Sequence, residues 1–373
     1  MMTRKFICLG AAALMLAACA KTEVVDITTV NSEVDSPVYF LTSPITKDDS
    51  ANRTQFSEDN IFESNAWYLE PNKTWAENYA DGVEYIPRSE VSYMAGQTTG
   101  TYVWRTVKPY YWPKSGGTLS FYSWSLNKGD LNFGTNSKAQ VTIDREKGVV
   151  LTGYDIINDK GIDFIVADPA LQQTKNLHLY YTDGVPTLFR HMLSKLKITA
   201  VADEDYSAYK KITIKEIKIT GVARKASYQE TEIGTDGKWH VIDRWTVDPV
   251  GGTYDDEFYD GTDSEGGKTG TPVTTETVTF GGEDAIFIPQ GFTGDEMIEI
   301  TYEIYDEFSK VKEPVTVKIP LKEALATTST SKDGEFEAGT EYTINLHFTL
   351  DLVYWDPAVQ NWDVENKGVT VKE

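Results

Sequence analysis

The sequence is poor in cysteine, in positive charge and in long apolar runs. Only two of its 373 residues are cysteines, and 35 lysines and arginines stand against 57 aspartates and glutamates, which gives a net charge of −22. A surface this acidic repels nucleic acid, so we expect no nucleic-acid partner. The apolar run Phe6 to Ala18 is shorter than the roughly 20 residues that a membrane-spanning helix needs.

The first residues are typical of a secretory signal, with a basic start, a short apolar run and small residues at its end. The ending Leu16-Ala17-Ala18-Cys19 resembles a bacterial lipobox, in which the cysteine is acylated and the peptide is cut just before it. We therefore predict a lipoprotein signal peptide over residues 1–18 and a lipid on Cys19. An ordinary signal peptide followed by a chance cysteine is the alternative. Cys8 leaves with the signal, so no disulfide can form within one mature chain.

Helical periodicity is nearly absent, whereas strand periodicity is frequent. Apolar and polar residues alternate from Ile298 to Ile304, from Val315 to Ile319 and, over the longest stretch, from Tyr342 to Leu352. A period of two over such lengths indicates antiparallel strands with one buried face. Between Ile212 and Ile219 the alternation slips by one residue near Lys215-Glu216, which predicts a β-bulge.

Turn residues separate these strands, and together they favour an all-β fold of antiparallel β-sandwich domains. We predict a flexible tether over residues 19–35, an N-terminal β-sandwich domain over 36–195 and a C-terminal one over 196–373. The stretch Tyr254 to Gly270 is acidic and rich in glycine, and we interpret it as a long exposed loop. Its carboxylates do not follow the order of an EF-hand loop, and calcium binding there stays an open alternative.

Residues that would indicate catalysis or a cofactor are scarce. The four histidines lack the spacing of a metal site, and no Gly-x-Ser-x-Gly motif occurs. His191 fits a structural polar position, and His347 fits a solvated one on the polar face of a strand. We expect no metal, no cofactor and no enzymatic activity. Trp67, Trp75 and Trp104 can either stack on sugars from the surface or pack in the core.

Four groups of short segments follow one another along nearly the whole chain after the signal. In their order and spacing they resemble the fimbrillin-like family, the lipoprotein pilins of the Bacteroidales type V pili. The segments are Tyr110-Tyr111-Trp112-Pro113 with Leu119-Ser120-Phe121-Tyr122, Ile162-Asp163-Phe164-Ile165-Val166-Ala167 with Val185-Pro186-Thr187-Leu188-Phe189-Arg190-His191-Met192-Leu193-Ser194-Lys195-Leu196, Ile286-Phe287-Ile288-Pro289-Gln290, and Ala338-Gly339-Thr340-Glu341-Tyr342 with Gln360-Asn361-Trp362.

The resemblance implies two transthyretin-like β-sandwich domains and export to the outer membrane as a lipoprotein. In polymerising members of the family a trypsin-like protease cuts after an arginine and removes the first strand, and a strand from the next subunit fills the groove that is left. Anchor-type members stay uncut. The implied partners are other pilin subunits and, through the lipid on Cys19, the outer membrane. Tip subunits can also bind host or bacterial surface ligands.

The sequence contains parts that match this assembly step. Val38-Tyr39-Phe40-Leu41 is a short apolar segment after the tether and is the candidate for the displaced first strand. Arg53 follows in a polar loop and, with Thr54 as the new N-terminus, is the candidate processing site; Arg88 is a second candidate. Burying about four donor side chains would contribute about 6–12 kcal/mol before ordering costs. Gly368 to Glu373 is either a donor strand or the last native strand.

We therefore expect a structural subunit of a cell-surface fimbria, as a shaft, accessory or tip pilin. It would be exported as a lipoprotein, be assembled by donor-strand exchange and contribute to adhesion. The alternative is an outer-membrane surface lipoprotein that binds glycans, because such proteins are also built from β-sandwiches and a fold does not decide function.

Overall fold

The computed structural model describes residues 36–42, 56–96, 100–126, 130–175, 184–282, 284–326, 334–349 and 353–361. Its two α-helices have four residues each, α1 (Trp75–Asn78) and α2 (Leu321–Ala324). The strands up to residue 191 are β1 (Phe40–Leu41), β2 (Ile61–Leu69), β3 (Val83–Ala95), β4 (Tyr102–Thr106), β5 (Thr118–Leu126), β6 (Gln140–Asp144), β7 (Gly148–Asp155), β8 (Phe164–Ala167), β9 (Ala170–Gln173), β10 (Val185–Pro186) and β11 (Phe189–His191). The later strands are β12 (Ser194–Ala202), β13 (Lys210–Ala223), β14 (Lys225–Ile233), β15 (Trp239–Val247), β16 (Thr253–Asp260), β17 (Thr271–Val273), β18 (Val278–Phe280), β19 (Ile286–Phe287), β20 (Gln290–Gly291), β21 (Met297–Asp306), β22 (Lys312–Pro320), β23 (Glu335–Phe336), β24 (Thr340–Phe348) and β25 (Val353–Asn361).

Nine strands form one sheet in the order β10-β1-β4-β3-β2-β5-β8-β11, with β9 paired to β5. This sheet curls on itself, because the ring of Phe40 on β1 lies 5.4 Å from the ring of Phe62 on β2, three strands away in the sheet order. In a flat sheet about 14 Å would separate those strands. The curled sheet encloses a core that contains Val38, Phe40, Phe62, Ile86, Val91, Trp104, Trp112, Leu119, Phe121, Ile165, Val185 and Phe189.

The other face of the nine-stranded sheet packs against a four-stranded sheet in the order β15-β14-β7-β6. Phe164 on β8 and Tyr228 on β14 make one of these contacts, with ring centroids 5.5 Å apart. The β14–β15 hairpin thus pairs with strands that lie before residue 195, across the domain boundary that the sequence predicts. Ser36–Glu373 packs as one unit, and the division into two transthyretin-like domains stays a prediction.

The remaining large sheets face each other as a sandwich, one in the order β18-β12-β24-β25 and the other in the order β16-β13-β21-β22. Tyr302 on β21 meets Phe348 on β24 with ring centroids 5.3 Å apart. Strands β12 and β24 run parallel over nine paired residues. Among the residues that the structure describes, no helix is long and apolar enough to cross a membrane.

The prediction of an all-β fold with antiparallel sheets is confirmed. The alternating stretches form β21, β22 and β24, and the inward residues of β24 within the described range are fully buried: Tyr342, Ile344, Leu346 and Phe348. The predicted bulge is also present, since the register of β13 on β21 shifts between Ile214 and Glu216.

The interpretation of residues 254–270 as one long exposed loop is wrong. Its first part belongs to the edge strand β16, which pairs with β13 and buries Tyr254. The second part bends back through a bridge between Thr262 and Lys268. Acidic residues occupy β16 because an edge strand has solvent on its free side, and charges there prevent pairing with other chains.

Candidate functional site

Strand β1 has only two residues and lies between β10 and β4, so that it is held on both sides. On one side the Val38 amide donates to the carbonyl of Tyr110 (2.8 Å), and the Trp112 amide donates to the carbonyl of Ser36 (2.9 Å). Phe40 also pairs in antiparallel fashion with Trp104 on β4. We call the slot that β1 fills the β1 groove: β4 and residues 110–112 form one wall, and residues 184–187 form the other.

The second wall of the β1 groove runs parallel to β1. The Val185 amide donates to the carbonyl of Tyr39, and the Thr187 amide donates to the carbonyl of Leu41, both at 2.8 Å. These four backbone hydrogen bonds, in addition to the pairing of Phe40 with Trp104, join residues 36–42 to the two walls. A strand held in this way is a full member of the sheet, although it has only two residues in regular pairing.

Alternate side chains of β1 and of the two residues before it point into the curled sheet. Val38 and Phe40 are buried, whereas Tyr39 and Leu41 are half-buried. Phe40 meets Phe62 and Phe121 edge to face, at 5.4 and 5.7 Å between ring centroids. Two buried side chains, rather than the four expected from the sequence, contribute about 3–6 kcal/mol before ordering costs.

The chain that follows residue 55 is anchored in the same core. Phe56 stacks on Phe189 with ring centroids 4.5 Å apart, and it also contacts Phe62 and Trp104. The segment 43–55 joins β1 to this anchor. The candidate processing residues Arg53 and Thr54 lie in this segment, outside the described residues. Cys19 and Gly368 to Glu373, elsewhere in the chain, are also outside the described residues.

Arg88, the second arginine considered for processing, lies in the middle of β3, between β2 and β4. Its Nε lies 2.5 Å from Glu63 Oε1, and its Nη1 donates to the carbonyl of Val141 at 2.8 Å. Arg88 lies within a strand that pairs with β2 at Ile86 and at Ser89, and such a strand is not the exposed loop that proteases cut. Arg88 is therefore a structural residue that links the nine-stranded sheet to β6.

Buried charged groups hold the loop after β7 to its neighbours. Asp155, which is 3% exposed, accepts two hydrogen bonds from Arg224, at 2.7 and 2.8 Å. Burial raises the pKa of Asp155, but hydrogen bonds from Arg224 and from the Ile157 amide outweigh it, so that the pKa lies below its usual value. His191 is buried against the carboxylate of Asp163, as its structural role predicts.

His347 lies on the polar face of β24 with its side chain 28% exposed, and it has partners there. Its Nδ1 lies 3.0 Å from Asp203 Oδ1, and its ring stacks on Tyr354 with centroids 4.8 Å apart. The tyrosine hydroxyl donates to the same carboxylate at 2.5 Å. Hydrogen bonds from Tyr354 and then from His347 lower the pKa of Asp203. Asp203 and Tyr354 thus cover the polar face of β24 near its last residue.

Within the described ranges, no three side chains of His, Cys, Asp and Glu come together as a metal site. The three tryptophans considered for sugar stacking are all buried, with exposed fractions of 6% for Trp67, 0% for Trp75 and 7% for Trp104. Trp75 Nε1 donates to the hydroxyl of Tyr122 at 3.0 Å. These rings therefore serve the core, and the sugar-stacking interpretation is wrong for them.

Sequence reasoning did not identify the two walls of the β1 groove. Residues 110–112 and 185–187 of these walls lie in segments that carry the resemblance described above, whereas β4 and Gly184 lie outside them. A model of one protein family matches residues 53–362, and its description is fimbrillin-like. The chain belongs to the fimbrillin-like family. No curated protein sequence matches it.

Solved structures similar to this fimbrillin-like chain include a fimbrial protein from Bacteroides vulgatus. That structure has 16% identity and a TM-score of 0.54, and the match covers 88% of this chain and 99% of the other. The fimbrial anchor protein Mfa2 from Porphyromonas gingivalis has 10% identity and a TM-score of 0.28, with 88% and 98% covered. The tip fimbrial protein Mfa3 from the same organism has 9% identity and a TM-score of 0.33, with 87% and 100% covered. At these identities the Bacteroides vulgatus structure supports the shared fold.

Proposed function

We propose that this protein is a structural subunit of a cell-surface fimbria that assembles by donor-strand exchange. One observation carries the proposal: the two-residue strand β1 and the residues just before it fill a groove between β4 and β10 and bury the side chains of Val38 and Phe40 there. Membership of the fimbrillin-like family supports the fimbrial role. The protein would act as a structural component rather than as an enzyme.

Loss of β1 would leave the β1 groove with unsatisfied backbone groups. The carbonyl of Tyr110 and the amides of Trp112, Val185 and Thr187 would lose their partners. Buried backbone groups without partners are costly, and an open sheet edge favours the addition of an extended segment. A strand from a second subunit would restore the four hydrogen bonds and refill the positions of Val38 and Phe40.

A cut after Arg53 would separate β1 from the rest of the protein. The new N-terminus, Thr54, stands two residues before Phe56, which packs on Phe189. Because Phe56 is anchored in the curled sheet, the chain after the cut would stay in place while β1 is free to leave. The candidate donor, Gly368 to Glu373, offers apolar side chains at alternate positions, and its role as a last native strand stays an alternative.

The lipid on Cys19 would carry the subunit to the outer membrane before assembly. Cleavage at Arg53 would then release the subunit from its lipid and remove its first strand. An uncut molecule would remain as an anchor. The partners would be other pilin subunits, and an exposed tip position would add contact with host or bacterial surface ligands. Among the described residues nothing favours the glycan-binding alternative, since its candidate tryptophans are buried.

The test is cleavage of the full-length chain by an arginine-specific protease, because Lys47 lies in the same segment as Arg53 and trypsin would cut at both. We expect a cut between Arg53 and Thr54 and a ladder of polymers on gels run without heating. Arg53→Gln should abolish both, whereas Arg88→Gln should retain both. A chain that stays monomeric after complete cleavage at Arg53 would contradict donor-strand assembly.

A further inference from the structure

Gly184 stands directly before β10, where the second wall of the β1 groove begins. A Cβ atom added to Gly184 would lie 2.4 Å from the carbonyl carbon of Phe40, 2.6 Å from its oxygen and 2.8 Å from the amide nitrogen of Leu41. All three atoms belong to the backbone of β1. Heavy atoms in close-packed interiors do not approach this closely, so the strand and a side chain at position 184 exclude each other.

Position 184 requires glycine because there is no room for a Cβ atom, and not because the backbone conformation is one that only glycine adopts. Its φ angle lies outside the left-handed region that favours glycine, so an alanine can adopt the same backbone. The backbone of β1 cannot move aside as a flexible side chain can. It is fixed at this point by the hydrogen bonds of Val185 to Tyr39 and of Thr187 to Leu41.

We propose that the absence of a side chain at Gly184 is what allows the β1 groove to accept a strand. Because the contact is with main-chain atoms, a side chain at position 184 would exclude any strand in this register, whatever its sequence. The rule applies to β1 itself and, resting on the proposed function, to the strand that replaces it in a polymer. Gly184 is thus a residue that keeps the groove open to a strand in this register.

The same geometry defines the strand that fits. Its peptide must pass Gly184 as the Phe40–Leu41 peptide does, parallel to residues 184–187. An amide is needed at the Val38 position to donate to Tyr110, so proline is excluded there, whereas the preceding position tolerates Pro37. Apolar side chains are needed two residues apart. The occupant that fits is the segment Gly368 to Glu373 of a second copy, because it has Val369 and Val371 two residues apart and contains no proline.

The first test uses the intact, uncut chain and does not depend on polymerisation. In Gly184→Ala we expect the amides of Val38, Val185 and Thr187 to exchange with deuterium at least about tenfold faster than in the wild type. The amides of β24 should exchange at wild-type rates. Gly282→Ala is the matched control, because that exposed glycine has no atom within 4 Å of an added Cβ and no left-handed φ. Unchanged exchange at the three amides, or a uniform increase that includes β24, would overturn the proposal.

The second test uses the chain cut after Arg53 and separated from its N-terminal fragment, with a labelled peptide of the sequence of residues 36–42 as the probe. The peptide should bind to the wild type and to Gly282→Ala, and at least about tenfold more weakly to Gly184→Ala. Equal entry into Gly184→Ala would overturn the inference even if the wild type polymerises. A wild type that takes up the peptide but never polymerises would instead refute the proposed assembly and leave the role of Gly184 intact.

Discussion

Strands β1 and β24 lie inside their sheets, but their environments differ. Strand β24 pairs with β12 and with β25 over nine residues on each side, and it buries four side chains completely. Strand β1 pairs with β10 over two residues and with β4 over one, and it buries Phe40, with Val38 buried just before it. If β24 were removed, β12 and β25 would both lose long ladders. Removal of β1 leaves β4 fully paired with β3. The comparison suggests that β1 is built to be separable and β24 is not.

The largest expected effect tests this difference directly. Ile344→Ala on β24 should lower the free energy of unfolding by about 2–5 kcal/mol, because it leaves a cavity at a fully buried position. The measurement is the midpoint of urea denaturation followed by tryptophan fluorescence. Thr343→Ala, a half-buried position on the other face of the same strand, is the control and should change the midpoint little.

Phe40→Ala is the counterpart on β1. Although its ring is buried among aromatic side chains, the loss should be limited to the docking of β1, because the rest of the sheet keeps its pairing. We expect faster amide exchange at Val38 and a smaller shift of the global midpoint than Ile344→Ala causes. If the two variants shift the global midpoint equally, β1 is not separable from the fold.

The sequence allowed β24 to be predicted more fully than β1. Alternation from Tyr342 onward is a local signal, because one wet face and one buried face are enough to produce it. The segment around Phe40 could be identified as apolar, but the walls of its groove come from residues 110–112 and 184–187. Pairing between segments that are distant in sequence leaves no local pattern. Position 184 must lack a side chain only because the backbone of β1 lies beside it in the folded protein.

The same reasoning explains the error at residues 254–270. Strand β16 buries Tyr254 but exposes most of its carboxylates, so that its composition is that of a loop. Its strand character comes from pairing with β13, where Lys218 lies opposite Glu257. Edge strands can be charged on both faces, and for them composition is a poor guide. The pairing of β14 with β7 could not be predicted from the sequence either, because β7 lies about 70 residues earlier in the chain.

The next prediction concerns a buried carboxylate in the four-stranded sheet that packs against the nine-stranded sheet. Glu230 on β14 is 1% exposed, and its Oε2 accepts a hydrogen bond from the Val149 amide at 2.8 Å. Burial raises the pKa of Glu230 well above its usual value. The folded protein therefore binds a proton that the unfolded chain releases at a pH above about 4.3. The stability due to this proton is complete below that pH and is lost as the pH rises toward the folded-state pKa.

Glu230→Gln removes this titration while it keeps an acceptor for the Val149 amide. We expect the free energy of unfolding of the variant to exceed that of the wild type by a margin that grows between pH 5 and pH 8, reaching at least about 1 kcal/mol. Urea denaturation at the two pH values measures it. Glu90→Gln, at an exposed position on β3, is the control and should show no such trend. A margin that shrinks as the pH rises would contradict a raised pKa.

The smallest effect is expected on the surface of the sandwich, where charges are many and weakly coupled. Lys318 on β22 lies 2.5 Å from Glu299 on β21, but its side chain is 60% exposed. Ion pairs this exposed contribute little, because water screens them and two long side chains must be ordered. Lys318→Ala should therefore lower the free energy of unfolding by less than about 1 kcal/mol, and added salt should reduce even that difference. A loss as large as that of Ile344→Ala would mean that surface charge, and not the buried face of β24, holds the sandwich together.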